Sequence, residues 1–194
     1  MRLSEAERHR LIHDFVDSTF GGVDANPQLV ELLRSAVPDL PDEPTAEQVE
    51  CWIELAELVQ DTDFRASVRR MAEYQAAERA DGDETGLHHE LTNHVRDRVA
   101  AAVAAGIQPA SAQAGPVVAE LVARYADTFG ATDSGEYRAK LLTRLAIAND
   151  PRVERYWHLI ATINGSPAAS PLAPIFAWFT EALRHPLQAI TDRR

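Results

Sequence analysis

The residues best suited to chemistry in this sequence lie in the run His88-His89-Glu90-Leu91-Thr92-Asn93-His94, with Arg98 one turn beyond. Imidazoles titrate near neutrality and ligate metals, so the run raises two readings, a metal site and acid–base work. A zinc-protease helix needs His-Glu-x-x-His, two imidazoles one turn apart with a glutamate as base. Here the residue four after His89 is Asn93, and His94 lies one step further, turned by about 100° around the helix. The metal pattern fails, and no metal is expected. No Gly-x-Ser-x-Gly elbow, Walker loop or dinucleotide fingerprint occurs, so neither a cofactor nor a catalytic residue is assigned. Cys51 precedes Trp52 without a neighbouring His or Lys to activate it, which reads as an inert thiol. Gly21–Gly22 closes a helix rather than opening one.

The helix that carries the imidazoles must position them. Its apolar stripe is centred between Leu91 and Val95, with His94 and Arg98 inside the stripe and His88 at its margin. His89, Asn93 and Arg96 point the other way. A guanidinium turned toward a core is costly unless something pairs with it. Either this face lines a cavity and offers donors to a ligand, or Arg98 meets a structural carboxylate and the histidines bond to backbone. Tyr125 sits mid-stripe on its own helix, and its hydroxyl needs a partner. Asn164 falls on an apolar face behind Trp157, and Trp52 and Trp157 face inward. Trp178 lies off the stripe of its helix, toward a groove or a partner. The candidate ligand-binding set is Trp52, Tyr74, His88, His94, Arg98, Tyr125, Trp157 and Asn164.

Helical periodicity runs the length of the chain. Ser4 with Glu7 and Thr45 with Gln48 read as capping boxes. Behind them, Leu11, Ile12, Phe15, Val16 and Thr19 form one stripe, and Val49, Trp52, Ile53, Ala56 and Val59 another. A short helix runs from about Pro27 to Ala36, and the segment Pro38–Pro44 cannot be helical. Asp61 caps a helix with Phe64, Val68, Met71 and Ala72 inward. A helix from near Glu84 carries Leu87, Leu91, Val95, Val99 and Ala102. Further helices follow with Val117 to Phe129, from Asp133, from Asp150–Pro151 and from Ser170–Pro171, with Pro186 bending or ending the last. No β-branched alternation appears. The expectation is an all-α bundle of about nine helices and no sheet. The break near Gly82 divides it into subdomains over residues 1–82 and 83–194, which together form one ligand-binding domain.

With 194 residues, the chain is long enough for a sizeable core without disulfides, and one cysteine permits none within the chain. Thirty acidic residues against 19 basic ones give a formal charge of −11, which repels a phosphate backbone. Arg65, Arg69 and Arg70 are the best basic patch, and they read as a solvated face. The charged N-terminus and the lack of a long apolar stretch fit a cytoplasmic protein without a membrane span.

The segments Pro41–Val49, Trp52–Asp61 and Phe64–Ala72 resemble the C-terminal effector regions of actinobacterial MerR-family transcriptional regulators. Residues Leu3–Arg8 through Phe20-Gly21-Gly22 look like the stretch those proteins carry after their coiled coil. The resemblance implies a helical domain that binds a drug-like or antibiotic molecule and acts on DNA through a separate winged-helix head. This chain shows no such head and no long heptad helix, so no direct nucleic-acid contact is expected, and a homodimer is compatible with the reading. No ligand residue carries over. The function expected is small-molecule effector binding in transcription regulation, not an enzyme. The ligand would lie between the two helical groups, oriented by His94, Arg98 and Tyr125. A stand-alone drug-sequestering protein shares that pocket, and a histidine-dependent enzyme is the third reading.

Overall fold

The computed structural model describes residues 4–80, 88–167 and 170–185. Among the described residues the fold is all-α, with nine helices and no strand. They are α1 (Glu5–Phe20), α2 (Pro27–Ser35), α3 (Ala46–Gln60), α4 (Thr62–Ala80), α5 (His89–Ala104), α6 (Ala114–Thr128), α7 (Gly135–Ala148), α8 (Pro151–Ile163) and α9 (Ala173–Arg184). The break near Gly82, the start near Glu84, Leu87 and the stop at Pro186 lie outside the described residues. No helix among those described is long and apolar enough to cross a membrane.

Start chemistry explains most boundaries. The Ser4 hydroxyl accepts from the Glu7 amide at 3.3 Å while the Ser4 amide donates to the Glu7 carboxylate at 2.7 Å. Thr45 and Gln48 repeat this at 3.2 and 3.0 Å. Asp61 accepts from the amides of Asp63 and Phe64, and Asp150 accepts from that of Arg152. Two expected starts differ. Ser134 caps α7, while Asp133 grips the Arg138 guanidinium with both oxygens, at 2.6 and 2.7 Å. α9 begins at Ala173 without a side-chain cap, not at Ser170–Pro171. A start at Ser170 would put Pro174 where the first helical N–H must donate, and proline has none. Starting at Ala173 moves Pro174 into the first turn, where no donor is needed.

The helices divide into two compact units. The first holds α1–α4 together with α8. α1 packs on α2, α3 and α4, while α3 pairs with α8. Its core takes Ile12, Phe15 and Val16 from α1, Leu55 and Val59 from α3, Phe64 from α4 and Tyr156, Leu159 and Ile163 from α8. Phe15 and Phe64 stack at 5.7 Å, and Tyr156 leans on both. The Ser67 hydroxyl donates to Asp150 at 2.6 Å, tying the start of α8 to α4. Gln48 donates to the Ile163 carbonyl, satisfying the other end. A division at Gly82 assigns α8 to the C-terminal group, yet its stripe docks on α3. Ile53, read as part of the inward stripe of α3, is 53% exposed. The face that α1 and α8 cover runs through Trp52, Leu55 and Val59.

The second unit holds α5, α6, α7 and α9. α9 touches each of the other three helices, so it is buried on more than one face. Trp178, read as facing outward, is therefore buried, and its indole N–H donates to the Ile107 carbonyl at 3.1 Å. Val95, Val99, Leu121, Val122 and Phe179 fill the centre of this unit.

Candidate ligand-binding site

Four of the eight expected site residues belong to each unit. In the second unit, the α5 face is occupied by the protein's own groups. The Arg98 guanidinium donates to Glu120 of α6 at 2.6 Å, and His94 Nε2 lies 3.6 Å from the other oxygen of that carboxylate. Both side chains are about one-third exposed, at the margin of the stripe rather than turned into the core. His88 sets its ring edge against Phe129, with centroids 5.0 Å apart. Tyr125 packs between Phe129 and Phe179, and burial pushes its phenol well above the ordinary range. Of the two readings of Arg98, the structural carboxylate is the one found.

In the first unit, Trp52 is buried with the Arg8 guanidinium 5.9 Å from its ring centroid. Tyr74 is half-buried on α4. Asn164, read as lying on an apolar face, is exposed at the end of α8, where its side-chain Oδ1 accepts from the Asp39 amide at 3.2 Å. A helix face drawn past the last turn no longer predicts direction, because the chain leaves the helical path there. Trp157 alone of the eight lines the recess that this unit contains.

That recess is built from helical spacing. α4 contributes Phe64, Val68, Met71, Ala72 and Gln75, which repeat at three- and four-residue steps and so share one face. α8 adds Val153, Tyr156 and Trp157 by the same rule. Phe15 and Phe20 of α1 and Leu29 and Leu33 of α2 complete the wall. The space measures about 440 Å³ counted out to its open mouth. Among the described residues no charged side chain lines it, and Gln75, Tyr156 and Trp157 are its lining residues with polar side-chain atoms. The Tyr156 hydroxyl is buried without a protein hydrogen-bond partner, and burial pushes its phenol far up, so it stays neutral. Arg152 and Arg65 stand over the Phe64 and Phe15 rings, at 5.6 and 6.0 Å from their centroids. Such a wall can hold a neutral apolar molecule.

Sequence reading singled out Phe15, Phe64, Val68 and Met71 as core but not as cavity lining. Three aromatics, Phe15, Phe64 and Tyr156, on stripes of three different helices read as close-packed core, and nothing in their spacing separates core from cavity lining. The arginines read as a solvated face are partly structural. Arg65 donates to the Val59 carbonyl and the Ser18 hydroxyl, and Arg69 to the carbonyls of Thr19 and Gly21. Cys51 is buried, which pushes its thiol up and keeps thiolate scarce.

Among the described residues, the fold is all-α with an apolar recess in the first of its two units. No family model matches the chain, and neither a curated protein nor a solved structure matches it.

Proposed function

We propose that this chain is a small-molecule-binding module whose ligand is a neutral, largely apolar aromatic compound held in the recess of the first unit. The observation that carries the reading is that recess: it is open to an entering molecule, and its wall is aliphatic and aromatic. A ligand burying about 200 Å² of apolar surface there would gain roughly 5 kcal/mol before the cost of immobilisation. Small fragments should then bind weakly, and larger fused rings, which bury more apolar surface, more tightly.

Naphthalene and coumarin are suitable first probes within a broader panel of neutral aromatics. Binding should raise the melting temperature and change the fluorescence of Trp157. Val68→Trp should fill the recess and abolish both responses while leaving the far-ultraviolet circular dichroism unchanged. If no compound in the panel shifts either signal, or if Val68→Trp binds as the parent does, the recess is not a ligand site.

The regulatory part of the reading rests on the resemblance of residues 41–72 to MerR-family effector regions, a stretch that includes Phe64, Val68, Met71 and Ala72 of the recess wall. A compound that binds should then change transcript levels in cells carrying the gene and not in cells lacking it. Binding without any such transcriptional difference would favour sequestration of the compound, which uses the same recess.

A further inference from the structure

We propose that Glu5, His9 and Asp39 form a binding site for a divalent transition-metal ion of the zinc or nickel class. α1 places Glu5 and His9 four residues apart, so they stand one above the other on one face of the helix. Asp39 arrives from the proline-bounded segment between α2 and α3, and its carboxylate lies 3.2 Å from His9 Nε2. One ligand atom from each of the three residues lies within 4.8 Å of the others.

Zinc bonds to nitrogen and oxygen at about 2.0–2.2 Å, so tetrahedral ligands stand roughly 3.5 Å apart. Closing the trio around an ion takes a shift of about an ångström, and the freedom for it is present: the Asp39 side chain is 76% exposed, and Glu5 is exposed too. The backbone beneath Asp39 is held, because its amide donates to Asn164. His9 is half-buried against its helix, which limits the ring positions it must give up on binding. His13 continues the same helical face one turn on, its ring 6.4 Å from that of His9. The neighbouring Arg8 lies over the Trp52 ring.

The ligand set chooses the ion. Two carboxylates neutralise a dication, and an imidazole favours zinc, nickel or cobalt over magnesium and calcium, which prefer oxygen alone. A bound ion would tie the proline-bounded segment to α1, adding a cross-link between positions 30 residues apart. This site is separate from the recess, and neither depends on the other.

The test uses untagged protein, with zinc chloride and nickel chloride titrated by calorimetry and magnesium chloride as the comparison. Expected are one zinc or nickel ion per chain and a melting temperature raised by zinc but not by equal magnesium. His9→Ala and Asp39→Asn should each weaken zinc binding at least tenfold with unchanged circular dichroism. His89→Ala, which removes an exposed imidazole in the other unit, should leave it unchanged. Unsaturable binding, full affinity in His9→Ala or Asp39→Asn, or an equal loss in His89→Ala would each overturn the proposal.

Discussion

At the scale of single residues, Asp150 links more of the structure than its size suggests. It accepts from the Arg152 amide at the start of α8, from the Arg152 guanidinium and from the Ser67 hydroxyl of α4. Burial alone would push its carboxyl up. The hydrogen bonds from Arg152 and Ser67, with the arginine's charge, outweigh that and hold it at about 2. A carboxylate whose folded pKa is depressed adds stability above its ordinary value, and that stability is lost as pH falls through the folded one. With the side chain only 11% exposed, the shift from 3.8 down to about 2 corresponds to about 2 kcal/mol. Asp150→Asn keeps a capping oxygen but loses the charge. Urea unfolding should show the variant weaker by about 2 kcal/mol at pH 7, with the gap closing between pH 5 and pH 2. A gap undiminished at the acid end would mean that shape, not charge, is what the site needs. Arg98 teaches the opposite lesson. Its partner Glu120 lies 22 residues away on another helix, so one-helix periodicity shows the arginine's awkward position and not its remedy. A half-exposed pair of this kind is worth at most about 1 kcal/mol.

The ends of the elements show where local chemistry was legible and where it was not. Both capping boxes and the Asp-Pro start of α8 could be read directly, since each is a contact among residues at most three apart. The start of α9 could not be read from its Ser-Pro pair, because the second proline overrules the first. Trp178 could not be placed from one stripe, because α9 has neighbours on several sides. Gly21 marks a further local constraint, at the C-terminus of α1. Its amide donates to the Asp17 carbonyl at 2.9 Å, and its own carbonyl accepts from Arg69. A Cβ here would stand 2.6 Å from the Asp17 oxygen, a backbone atom that cannot retreat without loosening that turn. Gly22 meets nothing, but its φ of +74° belongs to the left-handed region. Gly21→Ala should therefore cost roughly 1–3 kcal/mol through crowding. Gly22→Ala should cost about 1 kcal/mol through backbone strain alone. Equilibrium denaturation of the two variants would check this, and a neutral Gly21→Ala would show that the end of α1 re-forms around the added methyl.

At the scale of the whole chain, sequence order and spatial partnership part company. The helical class could be read from periodicity, yet periodicity says only that a stripe must be covered, not which helix covers it. α8 is separated from the first four helices by three others and still completes their core. For the same reason the recess was not legible: its wall needs Val153, Tyr156 and Trp157 beside residues of α1, α2 and α4, and a linear division keeps them apart. The energetic weight of that return is large. Leu159, Ile160 and Ile163 are buried on α8, and at about 1.5–3 kcal/mol each they contribute roughly 5–9 kcal/mol. That is comparable to the entire stability of an ordinary domain, about 5–15 kcal/mol. Residues 4–80 expressed alone would leave the α3 face that α8 covers facing water. They should retain partial helicity at best and show no cooperative urea transition. The same residues joined through a flexible linker to 150–167 should recover one. Circular dichroism across a urea series on the two chains distinguishes the cases. A sharp, cooperative melt of 4–80 by itself would reduce α8 to an accessory helix and leave a recess that must form from α1, α2 and α4 without it.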